Sequence, residues 1–127
     1  METFCTTEPF TLWYYQQGHG ELGLRRVCDP TVLEPDTENI EIKFLGVFYL
    51  EIPTGGFRNL AISSATPEEE AYIQERTVRC FYEGDQYWAL TSDDKRYFIG
   101  SGSFGVIRKA LPYSQWFDHH NHANQVV

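Results

Sequence analysis

Asp118, His119, His120 and His122 are the side chains most suited to bind a transition metal, because imidazole nitrogens and carboxylate oxygens are its usual donors. Their spacing works against a site. Adjacent histidines in an extended chain point to opposite sides, and residues 118–127 lack the apolar neighbours that would hold a geometry. The expectation is a polar, mobile tail and no metal. His19 lies between Gly18 and Gly20 and reads as an exposed turn residue rather than a base. Cys80 falls in the run Val78–Glu83, which reads as an apolar strand in which a buried thiol is inert. Glu68, Glu69 and Glu70 are neighbouring carboxylates of the kind used in acid–base work. Their place in a helix first turn, where they complement the positive end of the helix dipole, explains them without catalysis. A Ser, His and Asp set is defined by geometry and cannot be read from order in a chain. The reading therefore leans away from an enzyme and names no catalytic residue and no cofactor.

The run Ile99-Gly100-Ser101-Gly102-Ser103-Phe104-Gly105-Val106 resembles the glycine-rich loop of protein kinases, down to the aromatic residue and the following valine. That resemblance implies a loop over ATP phosphates. A kinase also needs a lysine on the next strand, a catalytic-loop aspartate and a metal-binding aspartate. Only 22 residues follow Gly105, too few to supply them, so the run is expected to be a glycine-rich hairpin between two strands.

Charge is more informative. The net charge of −8 is unevenly spread: residues 1–70 carry 12 acids and 4 bases, whereas residues 71–127 carry 6 of each. A field of this sign repels nucleic acid and anionic membranes and attracts basic partners. Arg76, Arg79, Phe81, Lys95, Arg96, Tyr97 and Phe98 interleave bases with aromatics, as a platform for single strands would. The neutral balance of that half of the chain argues for strand core with solvated flanks instead. No run of 18 apolar residues is present, so no spanning helix is expected. Met1-Glu2-Thr3-Phe4 has neither the basic start nor the apolar run of a signal peptide. Cys5, Cys28 and Cys80 are odd in number and lack metal-like spacing. Buried free thiols in a reducing cytoplasm are the expectation.

These groups need elements to position them. A chain of 127 residues is expected to form a single domain over 1–127. Aromatics make up 16%, which favours strands because bulky rings pack on a half-buried pleat. Phe10–Gln16 and Glu21–Cys28 read as a hairpin about Gly18-His19-Gly20. Residues 29–39 read as an acidic loop. Ile40–Ile52 reads as the clearest strand, with a slip at Gly46 that marks a bulge. Phe57–Ser63 is a further strand. Thr66-Pro67-Glu68-Glu69-Glu70 predicts a helix over 67–76: Thr66 caps, Pro67 suits the first position, and Glu69 completes a capping box. Val78–Glu83, Gln86–Thr91, Arg96–Ile99 and Phe104–Lys109 read as a C-terminal meander, followed by Leu111–Phe117 as a strand or helical turn. The expected class is α+β, predominantly antiparallel β, with about eight short strands and one short helix, built as a small barrel or curved sheet packed on the helix.

The functional expectation is a non-enzymatic binding protein. In size and acidity it is similar in general character to bacterial immunity proteins and other toxin inhibitors, which implies capture of a basic protein partner. The expected contact residues are Glu34, Asp36, Glu38 and Glu41, on the loop entering the central strand, and Glu68, Glu69 and Glu70 at the helix start. All are expected to be exposed, since carboxylates are rarely buried. A second reading is a small-molecule-binding or catalytic domain whose pocket is lined by Trp13, Tyr15, Phe44, Phe48, Tyr87 and Trp88. A third is a nucleic-acid mimic that inhibits a DNA-binding protein, for which 18 acids among 10 bases is thin.

Overall fold

In the computed structural model, which describes residues 2–26 and 39–109, alternating apolar residues lay down two layers of strands. The strands are β1 (Glu2–Cys5), β2 (Phe10–Gln16), β3 (Glu21–Arg26), β4 (Asn39–Leu45), β5 (Tyr49–Glu51), β6 (Ala61–Ser64), β7 (Gln86–Ser92), β8 (Lys95–Ser101) and β9 (Ser103–Lys109). One helix, α1 (Pro67–Arg76), lies between β6 and β7. The ladders are antiparallel and form a five-stranded sheet, β1-β6-β7-β8-β5, and a four-stranded sheet, β2-β3-β4-β9. Register shifts interrupt β1 between Glu2 and Phe4 and β2 between Leu12 and Tyr14.

The inward residues follow the period of two that a pleat imposes. Leu22 and Leu24 of β3 and Ile40, Ile42 and Phe44 of β4 face Ile62 of β6, Trp88 and Leu90 of β7, and Ile99 of β8 in one buried cluster. Phe104 of β9 lies 5.0 Å from Phe44 and 5.0 Å from Trp88, measured between ring centroids, so three rings span the two layers. The Trp88 indole N–H is buried and satisfied: it donates to Ser101 Oγ at 3.2 Å, which in turn donates to the Ser103 carbonyl.

The architecture corrects the expected barrel or curled sheet. Both sheets are open, and between them only the isolated Phe10–Phe57 bridge forms among the described residues. Ring-sized side chains on both inner faces hold two layers apart by packing, which removes the need for closure through hydrogen bonds. The predicted strand Ile40–Ile52 is two strands in different sheets. Gly46, at φ +67, ends β4 and sends the chain across to β5. A residue with a Cβ is strained in that conformation. The predicted hairpin at Gly100-Ser101-Gly102-Ser103 is likewise a crossing: β8 stays in the five-stranded sheet and β9 pairs with β4. The two crossings are tied together, since the Gly102 amide donates to the Leu45 carbonyl at 2.9 Å. Val78–Glu83 is not a strand, so the meander is confined to β6, β7 and β8. Residues 111–127, including the predicted last strand and the His-containing tail, lie outside the described residues.

The helix forms from its local signals. The Glu69 amide donates to Thr66 Oγ1 at 3.2 Å and the Thr66 amide donates to Glu69 Oε1 at 2.9 Å, a complete capping box. Ile73 is its one buried residue. Tyr72 packs on Phe98, Glu69 pairs with Arg96, and Gln74 donates to the Tyr87 hydroxyl. Those partners alternate with Trp88 and Ile99 along β7 and β8, so α1 covers the face of the five-stranded sheet turned away from the core.

Phe48 covers the same outer face. Its ring lies flat over Gly100, where an added Cβ would stand 2.5 Å from ring carbons. The glycine is required by that approach. Gly100→Ala is expected to lower stability by about 1–3 kcal/mol through displacement of the ring, measured by denaturant unfolding against the parent chain. An unchanged midpoint would mean the ring is not held there.

Candidate functional site

The segment after α1 is fixed by one arginine. Thr77 ends the helix, with its hydroxyl donating to the Ile73 carbonyl at 2.7 Å. Arg79 then turns inward and lays its guanidinium over the Phe48 ring, 4.1 Å from the centroid. Arg79 Nη2 pairs with Asp85 Oδ1 at 2.9 Å, and Nη1 donates to the Cys80 carbonyl at 2.5 Å. The other Asp85 oxygen accepts from the Tyr82 amide at 2.8 Å, while the Asp85 amide donates to the Tyr82 carbonyl. Phe48 is held from behind by Gly100 and edge-on by Tyr87, at 5.6 Å. Cation–π contact and an ion pair together clamp both ends of the 79–85 loop.

The guanidinium also lies 5.1 Å from the Tyr82 ring centroid and 5.9 Å from that of Phe81, so both rings lean on Arg79 while their outer faces meet solvent. Val78 is 101% exposed, Tyr82 69% and Phe81 41%. Three large apolar side chains are exposed on one short loop, in contrast to the scattered single residues normal on a surface: Phe81 and Tyr82 meet at Arg79, and Val78 stands clear of its neighbours. Cys80 is on this loop and is an exposed free thiol, which corrects its expected burial in a strand. Cys5 is also exposed, and Cys28 lies outside the described residues.

Open carboxylates are concentrated on α1 and the loop after it. Among the described side chains, Glu8, Glu21, Glu41, Glu69 and Asp85 are ion-paired. Glu68, Glu70, Glu75 and Glu83 make neither an ion pair nor a side-chain hydrogen bond among those residues, and all four lie on α1 or the loop after it. Glu68 and Glu75, seven apart, share the solvent face opposite Ile73. Residues 66–86 hold six acids (Glu68, Glu69, Glu70, Glu75, Glu83, Asp85) and two bases (Arg76, Arg79), a local charge of −4. Beside them, Glu51 of β5 accepts from the Tyr49 hydroxyl at 2.5 Å and the Tyr72 hydroxyl at 3.0 Å. Burial, and then the Glu51 carboxylate, push the Tyr49 phenol well above its ordinary range, so it stays a donor.

The predicted contact acids fare differently. Glu34, Asp36 and Glu38 lie outside the described residues. Glu68 is exposed and Glu70 is half-buried, both without a partner in the described chain. Glu69 is taken up by Thr66 and Arg96. Glu41 is corrected: it is only 3% exposed, on the outer face of the four-stranded sheet. It stands opposite Arg25 in the β3–β4 register and pairs with it, Nε to Oε2 at 3.3 Å, and accepts from the Tyr14 hydroxyl at 3.3 Å. Arg25 also lies 4.9 Å from the Trp13 ring centroid. A carboxylate in such a pair has no charge to offer a partner.

The six aromatics expected to line one pocket are dispersed. Phe44 and Trp88 are in the core, Phe48 and Tyr87 are on the outer face of the five-stranded sheet, Trp13 lies by Arg25 on the other sheet, and Tyr15 is exposed on β2. A cleft of about 730 Å³ opens elsewhere, between β1 and the ends of β3, β4 and β9. Phe4, Ile40 and Leu60 supply its apolar wall and Glu8, paired with Arg26, its charged rim. Compared with protein-family models, with curated proteins and with solved structures, the chain finds no match in any of the three.

Sequence reasoning missed Glu75, Val78, Tyr82 and Glu83, and it set Arg79 and Phe81 aside as strand core with solvated flanks. The alternation of Val78 to Tyr82 imitates a strand. The available signal was Asp85, which can cap a turn from within the Gly84-Asp85 pair.

Two outcomes test this geometry. Hydrogen bonds from Arg96 first, and then from Thr66, hold the Glu69 carboxyl down to about 2 from its ordinary 4.5, against the opposing effect of burial. Its folded value is depressed, so its contribution is complete above about pH 4.5 and is lost as pH falls toward 2. Glu69→Gln is therefore expected to lower stability at pH 7 by about 1 kcal/mol, and the gap from the parent should close in acid-titrated melting curves. Glu41→Ala is expected to cost about 3–5 kcal/mol, because it strips a buried arginine of its carboxylate. A loss below about 1 kcal/mol in urea unfolding would mean that Arg25 does not depend on that carboxylate.

Proposed function

We propose that the chain is a non-enzymatic binding protein, a small acidic inhibitor of the immunity-protein kind, that captures a basic protein partner. The observation that carries this reading is the concentration of open carboxylates: of the five described acid side chains that are neither ion-paired nor hydrogen-bonded, Glu68, Glu70, Glu75 and Glu83 lie on α1 and its following loop and only Asp94 lies elsewhere, while five other acids are neutralised by bases. Local charge of −4 over residues 66–86 gives a field that speeds encounter with a positive surface and disfavours nucleic acid and anionic lipid. Glu34, Asp36 and Glu38 belong to the same proposal as a second acidic segment. The exposed free thiol of Cys80 fits a reducing, cytoplasmic setting. No helix among the described residues is long and apolar enough to cross a membrane.

The test is capture from host lysate on immobilised parent chain and on a Glu75→Lys/Glu83→Lys double variant, at low and high salt. Both positions lie outside the capping box, so the fold is retained. The parent is expected to retain a stoichiometric basic protein, with association slowed about tenfold by the double variant at low salt and by added salt in the parent. A partner bound at the same rate by both chains would reduce the acids to a solubility device.

A further inference from the structure

Glu75 and Glu83 flank the Val78, Phe81 and Tyr82 loop along the chain, and the loop carries an inference of its own. We infer that these three residues are the contact centre of an interface, and that they take a polypeptide segment in which an apolar side chain is flanked by lysine or arginine. The inference rests on the capture reading above and names the part of the partner that is gripped.

Three observations support it. First, the patch has the chemistry of an interface centre: a tyrosine, a phenylalanine and a valine at 69%, 41% and 101% exposure, within one loop. Aromatic side chains of this kind supply most of the energy where proteins meet, since they give large contact area for few rotatable bonds. Second, the loop is already ordered. Arg79, stacked on Phe48 and paired with Asp85, ties it to the outer face of the five-stranded sheet. Tyr82 is fixed through its own amide and carbonyl to Asp85. A partner therefore does not have to order this backbone, which is a principal cost of binding through a loop. Third, charge selects the occupant. Glu75 precedes the loop and Glu83 follows it, both exposed and unpaired among the described residues, while Arg76 is drawn over the Tyr72 ring and Arg79 is paired with Asp85. A second copy of the chain would set one acidic rim against another, and an anionic membrane would meet the same repulsion. A segment with Lys or Arg on either side of an apolar residue meets both the rings and the rim.

The probes are three short synthetic peptides: alternating lysine and leucine, lysine alone, and alternating glutamate and leucine. Each is titrated into the isotopically labelled full chain while backbone amide shifts are followed. The lysine–leucine peptide is expected to shift the amides of residues 78–83 and to bind about tenfold more tightly than lysine alone, with the glutamate–leucine peptide weakest. A Phe81→Ser/Tyr82→Ser variant removes two rings that lean on Arg79 but leaves its Phe48 and Asp85 contacts, so the chain should stay folded, checked by its melting temperature. It is expected to bind the two basic peptides equally. Equal binding of both basic peptides by the parent chain would overturn the contact centre and leave charge capture standing. Shifts that track glutamate–leucine as strongly as lysine–leucine would overturn the charge selection. Shifts at residues 78–83 that grow with protein concentration alone would assign the patch to a second copy and overturn this occupant.

Discussion

The contact of Trp88 with Phe104, extended by Phe44, is the constraint on which the two-layer arrangement depends. Trp88 belongs to the five-stranded sheet, and the two phenylalanines belong to the four-stranded one. Rings of this size set the spacing between layers and bury more apolar area than any aliphatic trio could. The crossings at Gly46 and Gly102 follow from it. Once β4 and β9 present Phe44 and Phe104 inward from one layer, and β7 and β8 present Trp88 and Ile99 from the other, the chain must change layer wherever it runs from β4 to β5 or from β8 to β9. Small residues at both places let the crossings lie against each other. Ser101 sits at the end of β8 and supplies the one polar group the buried indole needs.

The outer face of the five-stranded sheet repeats this logic with charge added. Gly100 leaves room for Phe48, Phe48 receives the Arg79 guanidinium, and Arg79 with Asp85 shapes the loop that presents Val78, Phe81 and Tyr82. A strand position without a side chain thus determines what an exposed loop presents. The helix is held on the same face mainly by Ile73 and by polar contacts at its flanks, including the Glu69–Arg96 pair. An exposed ion pair is ordinarily worth little, and this one gains because Glu69 also closes the helix start.

What was legible in the sequence is what local chemistry decides. Thr66, Pro67 and Glu69 specify a helix start whose partners are three residues away, and the structure forms it there. Leu22, Leu24, Ile40, Ile42 and Phe44 alternate because each strand has one inner face, and they are buried. The layer to which a strand belongs is different. Ile99 and Phe104 both point to the same core, so periodicity reads identically whether β8 and β9 are adjacent or opposed, and a hairpin was inferred where the chain crosses. Glu41 alternates with Ile40 and Ile42 and so faces outward, as expected of a contact acid. Its burial comes from Arg25 and Tyr14 on neighbouring strands, which only the register brings to it. Val78 to Tyr82 alternates like a strand, but Arg79 finds its platform on Phe48, far away along the chain. Glu68 was legible as an exposed acid, whereas the exposed aromatics after the helix were not.

Open sheets end in backbone groups that another strand can recruit, and three of the four edge strands here, β1, β2 and β5, are poor templates, whereas β9 pairs with β4 in unbroken register. The register shifts in β1 and β2 each break the regular run of donors and acceptors along an edge, and β5 offers three residues only. Irregular or short edges suppress strand addition, the commonest route by which β-rich chains polymerise. Along those three edges, partner choice is thereby moved from main chain to side chains. Backbone pairing accepts almost any extended sequence, whereas a surface read through rings and carboxylates discriminates, and it can be retuned one residue at a time without exposing the folded chain to fibre growth.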